Sequence, residues 1–393
     1  MRAAEEATLG FDEQDRSFME RALALAERGR GYVEPNPMVG AVVVKDGRIV
    51  GEGHYEHFGG PHAEVAALRQ AGERARGATL YVTLEPCDHE GKTPACAPLV
   101  AGTGLGRVVI CTADPSDARP RGGIEALGQH KVLLEEGLCR EEAVRLNAGF
   151  FKLAATGRPL VTAKWAMSAD GKLATPTGES RYISSAASRR LVHELRGRVD
   201  CIIVGSRTVA RDDPLLTCRD AERRRTAARL VLCGASAPAP GSRLVQTAAE
   251  APVMLAYPAA RPPEGLAGLV ALGCEALPVE GARPGRVGPE RLLDELGRRR
   301  MTNVLVEGGG EVLGSFFDAG LVDRVVAFVA PLVIGGAGAT VPVAVPGAAS
   351  TPVAGRGARS IGEAIRLQAC ETRSLDGDVL IQGWAVDPLR WAP

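Results

Sequence analysis

The chain carries the stretch PHAE at residues 61–64, followed by PC at residues 86–87 and by a further cysteine, Cys96. Imidazole nitrogen and thiolate sulfur are ligands that Zn²⁺ accepts readily, and three protein ligands leave the fourth tetrahedral position open to water. Water in such a position ionises near neutral pH, and a neighbouring carboxylate can carry its proton to a departing group. We therefore expect His62, Cys87 and Cys96 to bind zinc and Glu64 to act as the catalytic acid and base.

This spacing resembles the H-x-E…P-C-x-x-C signature of the zinc-dependent nucleobase deaminases. It departs from that signature because eight residues, 88–95, separate the two cysteines. A structural zinc site would need a fourth ligand, and His89 could supply it if the inserted residues folded inward. A closed structural site is therefore the alternative to an open catalytic site.

Length and composition restrict the other classes of function. The 393 residues suffice for two domains, and the formal net charge of +0 with 4% aromatic residues argues against nucleic acid and anionic membranes as partners. Nine scattered cysteines fit reduced thiols in a cytoplasm better than a disulfide framework. The first residues lack the apolar run of a signal peptide, and no stretch of about 18 apolar residues follows. We therefore expect a soluble protein that is located in the cytoplasm.

Hydrophobic periodicity predicts an α/β fold in both halves of the chain. In the first half, helices are expected at 15–28 and 62–75, and strands at 40–44, 49–51, 78–83, 107–111 and 131–134. In the second half, strands are expected at 160–166, 200–205, 228–232, 253–256 and 302–306, and helices at 186–196 and from 308 to 319. We expect loops over most of 234–286, which is rich in Ala, Pro and Gly. The pattern breaks near 149–159, so the predicted domains are 13–150 and 157–386.

Together, several segments resemble the bifunctional deaminase/reductase family of riboflavin biosynthesis. In the first half these segments are PNPMVG (35–40), GEGH (51–54), PHAE (61–64), TLEPC (83–87) and GKTPAC (91–96). In the second half they are SADGK (168–172), TGES (177–180), DDPLLT (212–217) and VEGGG (306–310). The long insert before Cys96, which is unusual for a general deaminase, is what this family carries.

The resemblance implies an N-terminal cytidine-deaminase-like three-layer α/β/α domain and a C-terminal dihydrofolate-reductase-like α/β domain. It implies that 2,5-diamino-6-ribosylamino-4(3H)-pyrimidinone 5′-phosphate is deaminated at a zinc site, and that NADPH then reduces the ribosyl group to ribityl. In the deaminase domain, the residues at the positions that bind pyrimidine and phosphate in the family are Asn36, His54, His89 and Lys92. Each of these could also be an ordinary polar loop or capping residue.

The resemblance also assigns contacts in the reductase domain. Substrate contacts fall on Lys164, Ser180, Arg196, Leu216, Arg219 and Glu307. Cofactor contacts fall on Ala166, Tyr182, Thr208, Asp212, Gly234, Gly309, Gly310, Glu311, Val312, Leu313, Gly314 and Ser315. Independently of the resemblance, glycines between a strand and a helix let the backbone approach a phosphate, although tight packing explains such glycines equally well.

Three departures from the family pattern bear on these assignments. Tyr182 stands where the family usually has Trp, and Cys233-Gly234 replaces a usual Asp-Ser pair. The loop at 116–121 also differs from the family's glycine-containing loop. A paralogue acting on a related heterocycle is therefore one alternative. A second alternative is a deaminase that acts on RNA bases and uses the C-terminal half as a clamp. A third is a non-catalytic binding protein whose fold is stabilised by zinc. The sequence also leaves open whether the protein assembles as a homo-oligomer.

Overall fold

The computed structural model describes residues 10–115, 121–130, 132–281, 285–336 and 351–393. The chain divides into two compact units, one running to Gly157 and including Pro388–Pro393, the other spanning Arg158–Asp387. Of the loop at 116–121, which differs from the family pattern, residues 116–120 lie outside the described residues. No helix in the described part is long and apolar enough to cross a bilayer.

The described residues of the N-terminal unit form a five-stranded sheet in the order β2-β1-β3-β4-β5. Its strands are β1 (Gly40–Lys45), β2 (Arg48–His54), β3 (Thr79–Val82), β4 (Arg107–Ile110) and β5 (Leu133–Glu136). Strand β1 runs antiparallel to β2 and β3, whereas β3, β4 and β5 run parallel. The helices are α1 (Glu13–Ala26), α2 (Ala63–Ala71), α3 (Cys96–Gly102), α4 (Gly122–Gly128), α5 (Arg140–Leu146) and α6 (Ala148–Thr156). Since Ala148–Thr156 are helical, the predicted break in the pattern starts too early.

Helices cover both faces of this sheet, because successive residues of β1 point to opposite faces and nearly all of them are buried. Ala41 and Val43 of β1 belong to the hydrophobic cluster that includes α2, α3 and α4, while Val42 and Val44 pack with α1. Gly53 of β2 allows α2 to lie close, because a Cβ at this glycine would come within 2.3 Å of the Ala63 carbonyl oxygen. This close approach fixes the start of α2, where the predicted zinc ligand His62 lies.

The described residues of the C-terminal unit form a nine-stranded sheet in the order β10-β9-β8-β7-β11-β6-β12-β14-β13. Its strands are β6 (Leu160–Ser168), β7 (Cys201–Gly205), β8 (Ala228–Leu232), β9 (Val253–Pro258), β10 (Glu275–Val279), β11 (Asn303–Val306), β12 (Arg324–Ala330), β13 (Gln368–Leu375) and β14 (Asp378–Trp384). The first seven in the sheet order run parallel, and β14 and β13 are added antiparallel.

Helices connect these parallel strands. They are α7 (Ala186–Arg196), α8 (Ser206–Asp212), α9 (Arg243–Gln246), α10 (Leu266–Ala271), α11 (Pro289–Arg298) and α12 (Gly310–Asp318). Most of 234–286 lies outside helices and strands, and the strand expected at 253–256 is present as β9, but α9, α10 and β10 in the same stretch were not predicted. Strand β9 is buried along its whole length, so short all-apolar runs between Pro and Gly residues are sufficient for an interior parallel strand.

The sheet order defines where a ligand can bind in this unit. The chain passes from β6 to β7 and on outward to β10, then returns to place β11 between β7 and β6. Such a reversal opens a crevice at the carboxyl ends of the central strands. Of the predicted contact residues, Thr208, Glu307 and Gly309 follow the carboxyl ends of β7 and β11, and Lys164 lies within β6.

Candidate active sites

Three side chains of the N-terminal unit meet as the sequence predicts. The ligand atoms of His62, Cys87 and Cys96 all lie within 4.8 Å of one another. His62 Nδ1 is 3.5 Å from the sulfur of Cys87 and 3.2 Å from the sulfur of Cys96. Within the described part of the chain, His89 is not a member of this group, so the closed four-ligand alternative gains no support.

The ends of two helices place the ligands. His62 is the N-cap of α2, and Cys96 is the first residue of α3. The backbone amide of Cys96 donates to the sulfur of Cys87 at 3.4 Å. A hydrogen bond from the Cys96 thiol lowers the pKa of Cys87 to about 4, with further help from His62, so that Cys87 is held as the thiolate that binds metal.

Thr93 completes the surroundings of His62. Its hydroxyl lies 3.2 Å from His62 Nε2, the ring nitrogen that faces away from both sulfurs. A partner on the second nitrogen fixes the orientation and tautomer of a histidine that binds metal. Thr93 was missed in the sequence because it lies within the insert, where no spacing rule marks an outer partner.

Glu64 lies in the first turn of α2 and is almost fully buried, with 3% of its surface exposed. Burial raises the pKa of its carboxyl group to about 7. Its Oε2 atom has no hydrogen-bond partner among the described residues. A buried carboxylate with an unused oxygen, beside a soft ligand set that includes the Cys87 thiolate, is what a zinc ion and its water would satisfy, so the residues present fit a catalytic zinc site.

A cavity of about 250 Å³ opens next to the ligands. It is lined by Asn36, Tyr55, Phe58, Gly59, His62, Cys87, His89, Gly91, Lys92 and Thr93. Three of the four predicted substrate positions, Asn36, His89 and Lys92, therefore lie together, whereas His54 is half-buried on β2 and is not among the lining residues. The Lys92 ammonium group lies 4.0 Å from the centre of the Phe58 ring.

Tyr55 and Phe58 were also missed in the sequence. The Tyr55 hydroxyl accepts from the Asn36 amide at 3.2 Å and from the Gly59 backbone amide at 2.7 Å. Tyr55 thereby holds one predicted substrate contact in place. The only signal in the sequence was that both aromatic residues lie within four positions of His54, which does not separate a cavity wall from a core.

In the C-terminal unit, three predicted substrate contacts form a buried charge cluster. Arg196 donates through Nε and Nη2 to the two carboxylate oxygens of Glu307 at 2.7 and 2.8 Å. Lys164 Nζ lies 3.8 Å from Glu307 Oε2. Burial alone would raise the pKa of Glu307, but the charge and hydrogen bonds of Arg196 hold it at about 2. Burial lowers the pKa of Lys164. The cluster has two basic groups for one carboxylate.

The remaining predicted substrate contacts are more dispersed. Leu216 is buried and adopts a positive φ of 55°, while Arg219 is exposed. Ser180 lines a cavity of about 410 Å³ together with the predicted cofactor residue Asp212 and the arginines Arg181, Arg211 and Arg243. These three arginines were not among the predicted site residues, because surface arginines are common and no motif marks them.

Several predicted cofactor contacts lie at the carboxyl ends of the central strands. Gly309 is the N-cap of α12, and a Cβ at this glycine would lie 3.5 Å from the Thr208 hydroxyl. Gly234 follows β8 with open space around it, while Cys233 before it is buried in the core. A glycine-lined helix start beside a strand crevice fits the pyrophosphate of a dinucleotide such as NADPH.

Two of the predicted cofactor glycines have a structural contact as well. A Cβ at Gly310 would come within 2.4 Å of the Thr351 carbonyl oxygen, and one at Gly314 within 1.9 Å of the Ala354 carbonyl oxygen. These glycines are needed where 351–354 crosses α12.

The other predicted cofactor contacts are spread over several environments. Val312 and Leu313 pack in the hydrophobic core, and Glu311 pairs with Arg207 at the surface. Ser315 bonds to the Val312 carbonyl, and Ala166 packs near Phe328. Tyr182 is 72% exposed, under the Arg189 guanidinium.

Comparison with known proteins agrees with both halves of this description. Residues 12–112 match the family of the cytidine and deoxycytidylate deaminase zinc-binding region, and residues 159–380 match the RibD C-terminal domain. The riboflavin biosynthesis protein RibD of Aquifex aeolicus is 39% identical over 94% of this chain and 98% of its own length. The RibD protein of Escherichia coli is also 39% identical, over 82% of this chain and 89% of its own length. This chain belongs to the RibD family.

Solved RibD structures share its architecture. RibD of Acinetobacter baumannii is 31% identical with a TM-score of 0.78, and the match covers 95% of this chain and 99% of that one. The deaminase/reductase of Thermotoga maritima is 33% identical with a TM-score of 0.76, covering 94% and 98%. The predicted fold class is confirmed. As a RibD protein, the chain is a bifunctional enzyme of riboflavin biosynthesis, with a zinc-dependent deaminase domain and an NADPH-using reductase domain.

Proposed function

We propose that this RibD protein deaminates 2,5-diamino-6-ribosylamino-4(3H)-pyrimidinone 5′-phosphate and then reduces the ribosyl group of the product to ribityl. The Thermotoga maritima relative is described as a diaminohydroxyphosphoribosylaminopyrimidine deaminase/5-amino-6-(5-phosphoribosylamino)uracil reductase. The observation that carries the proposal is the group of His62, Cys87 and Cys96 with the buried Glu64 beside it. This group of residues lies in the same chain as a reductase domain of the RibD type.

In the deaminase domain, His62, Cys87 and Cys96 would hold a zinc ion, which would lower the pKa of water so that hydroxide is available at neutral pH to attack the ring carbon that carries the amino group. Glu64 takes the proton released by that water and delivers it to the departing nitrogen, so that a C–O bond forms, the C–N bond breaks and ammonia leaves. A pKa of about 7 allows Glu64 to accept and release a proton at neutral pH. Burial keeps the bulk solvent from competing for this proton.

The cavity beside the ligands is where the pyrimidine would bind. Asn36, held by Tyr55, presents an amide that can pair with ring nitrogen or oxygen. Lys92 and His89 belong to the insert and lie on the same cavity, where a cationic side chain can meet the phosphate. Phe58 offers a face for stacking on the ring.

In the reductase domain, NADPH when bound supplies a hydride to the anomeric carbon of the ribosyl group. Because that carbon is saturated, the C–O bond of the sugar ring must break before the hydride arrives, which leaves a C=N bond to the attached nitrogen as the hydride acceptor, and the released ring oxygen must receive a proton. Lys164, whose pKa is lowered by burial, is the group in the charge cluster best suited to donate that proton. Glu307 pairs with both Lys164 and Arg196, which leaves one positive charge unbalanced and favours an anionic or electron-rich substrate.

We further propose that the protein works in the cytoplasm on free small molecules and assembles as a homo-oligomer. The balanced formal charge and the low aromatic content support a substrate that is neither nucleic acid nor lipid. An extended exposed surface on the C-terminal unit, residues 355–374 apart from Leu367, supports self-association.

The proposal is tested by following ammonia release and NADPH oxidation together on zinc-loaded protein given the diamino-ribosylaminopyrimidinone phosphate. Both signals are expected, with NADPH oxidation lagging behind ammonia. The Glu64→Gln variant should release no ammonia but should still oxidise NADPH when given the deaminated intermediate. If the wild-type protein gives neither signal with this substrate, the proposed substrate is wrong and a related heterocycle takes its place.

A further inference from the structure

The segment 213–219, which follows α8, contains two of the predicted substrate contacts of the reductase domain, Leu216 and Arg219. Leu216 has a positive φ of 55°, a conformation that bulky side chains rarely adopt. Such a conformation costs free energy and persists only where the surrounding structure holds it. The contacts on either side of Leu216 must therefore stabilise this conformation.

Leu216 anchors the segment to the core. Its side chain is buried and belongs to the same hydrophobic cluster as Leu244 and Val245 of α9. Arg219, three residues later, is exposed and carries a charge that suits an anionic substrate. The backbone between the two residues therefore determines where the Arg219 guanidinium lies.

Arg229 holds the carbonyl group before Leu216. It lies on β8 and is fully buried. Its Nη1 atom donates to the Leu215 carbonyl at 3.1 Å and to the Thr247 hydroxyl at 2.7 Å, while Nη2 donates to the carbonyls of Thr247 and Ala251 at 2.8 and 2.5 Å. All four acceptors are neutral, and a buried charge without a carboxylate partner costs folding free energy. Packing alone therefore does not account for an arginine here, whereas its link from the turn after α9 to the segment 213–219 does.

His193 holds the carbonyl group after Leu216. It is buried on α7, and its Nδ1 atom lies 3.0 Å from the Thr217 carbonyl oxygen. Burial lowers the pKa of His193, so the ring is neutral at pH 7, and its one proton lies on Nδ1 because a carbonyl oxygen only accepts. Arg196, which pairs with Glu307, lies three residues further along the same helix face. Helix α7 thus connects the segment 213–219 with the buried charge cluster.

We infer that Arg229 and His193 are positioning residues of the reductase domain, which clamp the two carbonyl groups flanking Leu216 and thereby place Arg219 for the substrate. This inference rests on the proposed function, because it assigns the clamp to binding of the deaminated intermediate. Both residues act through the segment 213–219. Loss of either hydrogen bond frees the Leu216 backbone to leave its positive φ, and Arg219 moves with it. Substrate binding should then weaken while the hydride transfer itself is retained.

The test is steady-state NADPH oxidation by the full-length, zinc-loaded protein given the deaminated intermediate. Arg229→Met removes the guanidinium and keeps a long apolar side chain. It should raise the KM for the intermediate about tenfold, the effect of losing one hydrogen bond from a charged donor. The kcat and the KM for NADPH should stay within about twofold of wild type, because the lost contact is with neither the cofactor nor the reacting atoms. Ammonia release by the deaminase domain of the same chain should be unchanged.

His193 provides a second pair of variants. His193→Leu removes the donor to the Thr217 carbonyl and should raise the KM for the intermediate in the same way. His193→Asn keeps a side-chain N–H near the position of Nδ1 and has no counterpart of Nε2. It should restore the wild-type KM, which a role in filling space would not predict.

Arg299→Met is the matched control, because Arg299 pairs with Glu275 and Glu295, outside the segment 213–219, and should leave both KM values unchanged. Circular dichroism melting shows whether each variant is folded. A wild-type protein that does not oxidise NADPH with the intermediate overturns the proposed function and the clamp with it. An active wild type with an unchanged KM in Arg229→Met, or with kcat and both KM values altered together, overturns the clamp alone. If Arg229→Met does not fold, equal KM values for His193→Leu and His193→Asn overturn the clamp, and a raised KM in His193→Leu alone supports it.

Discussion

Replacing Glu307 by glutamine removes the only carboxylate from the buried cluster with Arg196 and Lys164 while keeping the side-chain volume. The pKa of Glu307 lies at about 2, compared with an ordinary value of 4.5. At about 1.4 kcal/mol for each pKa unit, this difference corresponds to about 3 kcal/mol of folding free energy. Breaking a buried ion pair by removing one partner costs a similar amount, about 3–5 kcal/mol. We expect Glu307→Gln to destabilise the C-terminal unit by about 3 kcal/mol at pH 7.

The pH dependence of this loss identifies its cause. Because the pKa of Glu307 is lower in the folded than in the unfolded protein, its stabilisation is complete above about pH 4.5 and disappears as the pH falls towards 2. The difference in unfolding free energy between wild type and Glu307→Gln should therefore be constant from pH 7 to pH 5. This difference should then narrow below pH 4.5, because the unfolded wild-type chain binds a proton at Glu307 in this range while the folded protein does not.

Urea unfolding measured by the fluorescence of Trp165 provides the assay. Trp165 lies on β6 of the same unit, and a Trp384→Phe/Trp391→Phe background makes it the only tryptophan. Glu311→Gln is the matched control, since Glu311 and its partner Arg207 are exposed and their pair is worth less than about 1 kcal/mol. This account of the cluster is refuted if the unfolding free energies of wild type and Glu307→Gln differ by less than about 1 kcal/mol at pH 7, or if their difference stays constant down to pH 3.

The zinc site gives three further predictions. Glu64→Gln should lower the rate of ammonia release at least about 100-fold while the zinc content, measured by atomic absorption, stays the same, because it removes the proton carrier and no ligand; a retained rate would exclude this role. Cys96→Ser should lower the zinc content because it removes a soft ligand, and full occupancy would require another ligand in its place. Thr93→Val should weaken zinc binding about tenfold in chelator competition by removing the hydroxyl beside His62 Nε2. Unchanged affinity would show that the Thr93 contact is incidental.

The ligand set could be predicted from the sequence because its chemistry is local. His62 and Glu64 are two positions apart at the start of one helix, and Cys87 follows a strand whose apolar run is unambiguous. Few residue types bind Zn²⁺, so their coincidence at these spacings carries much information. The α/β alternation was equally readable, since the core strands are short apolar runs separated by turn residues.

The sequence could not reveal contacts made by residues without a distinctive chemistry. Thr93 and Tyr55 act through single hydroxyl groups, and their positions depend on how the insert and the loop after β2 fold over the cavity. Gly310 and Gly314 were predicted to contact the cofactor, but both also make room for 351–354. A glycine in a sequence indicates that a backbone comes close, and only the fold identifies which backbone it is.

The insert between Cys87 and Cys96 links the departure from the general deaminase signature to the size of the substrate. A two-residue spacer would suffice to place two cysteines on one metal. Here the longer segment still places Cys96 at the start of α3, with its amide on the Cys87 sulfur, and it also contributes His89, Gly91, Lys92 and Thr93 to the cavity wall. Because a phosphoribosyl-pyrimidine is larger and more anionic than a free base, it needs both a longer wall and a cation. We therefore propose that the longer spacing between Cys87 and Cys96 serves to hold the phosphoribosyl-pyrimidine.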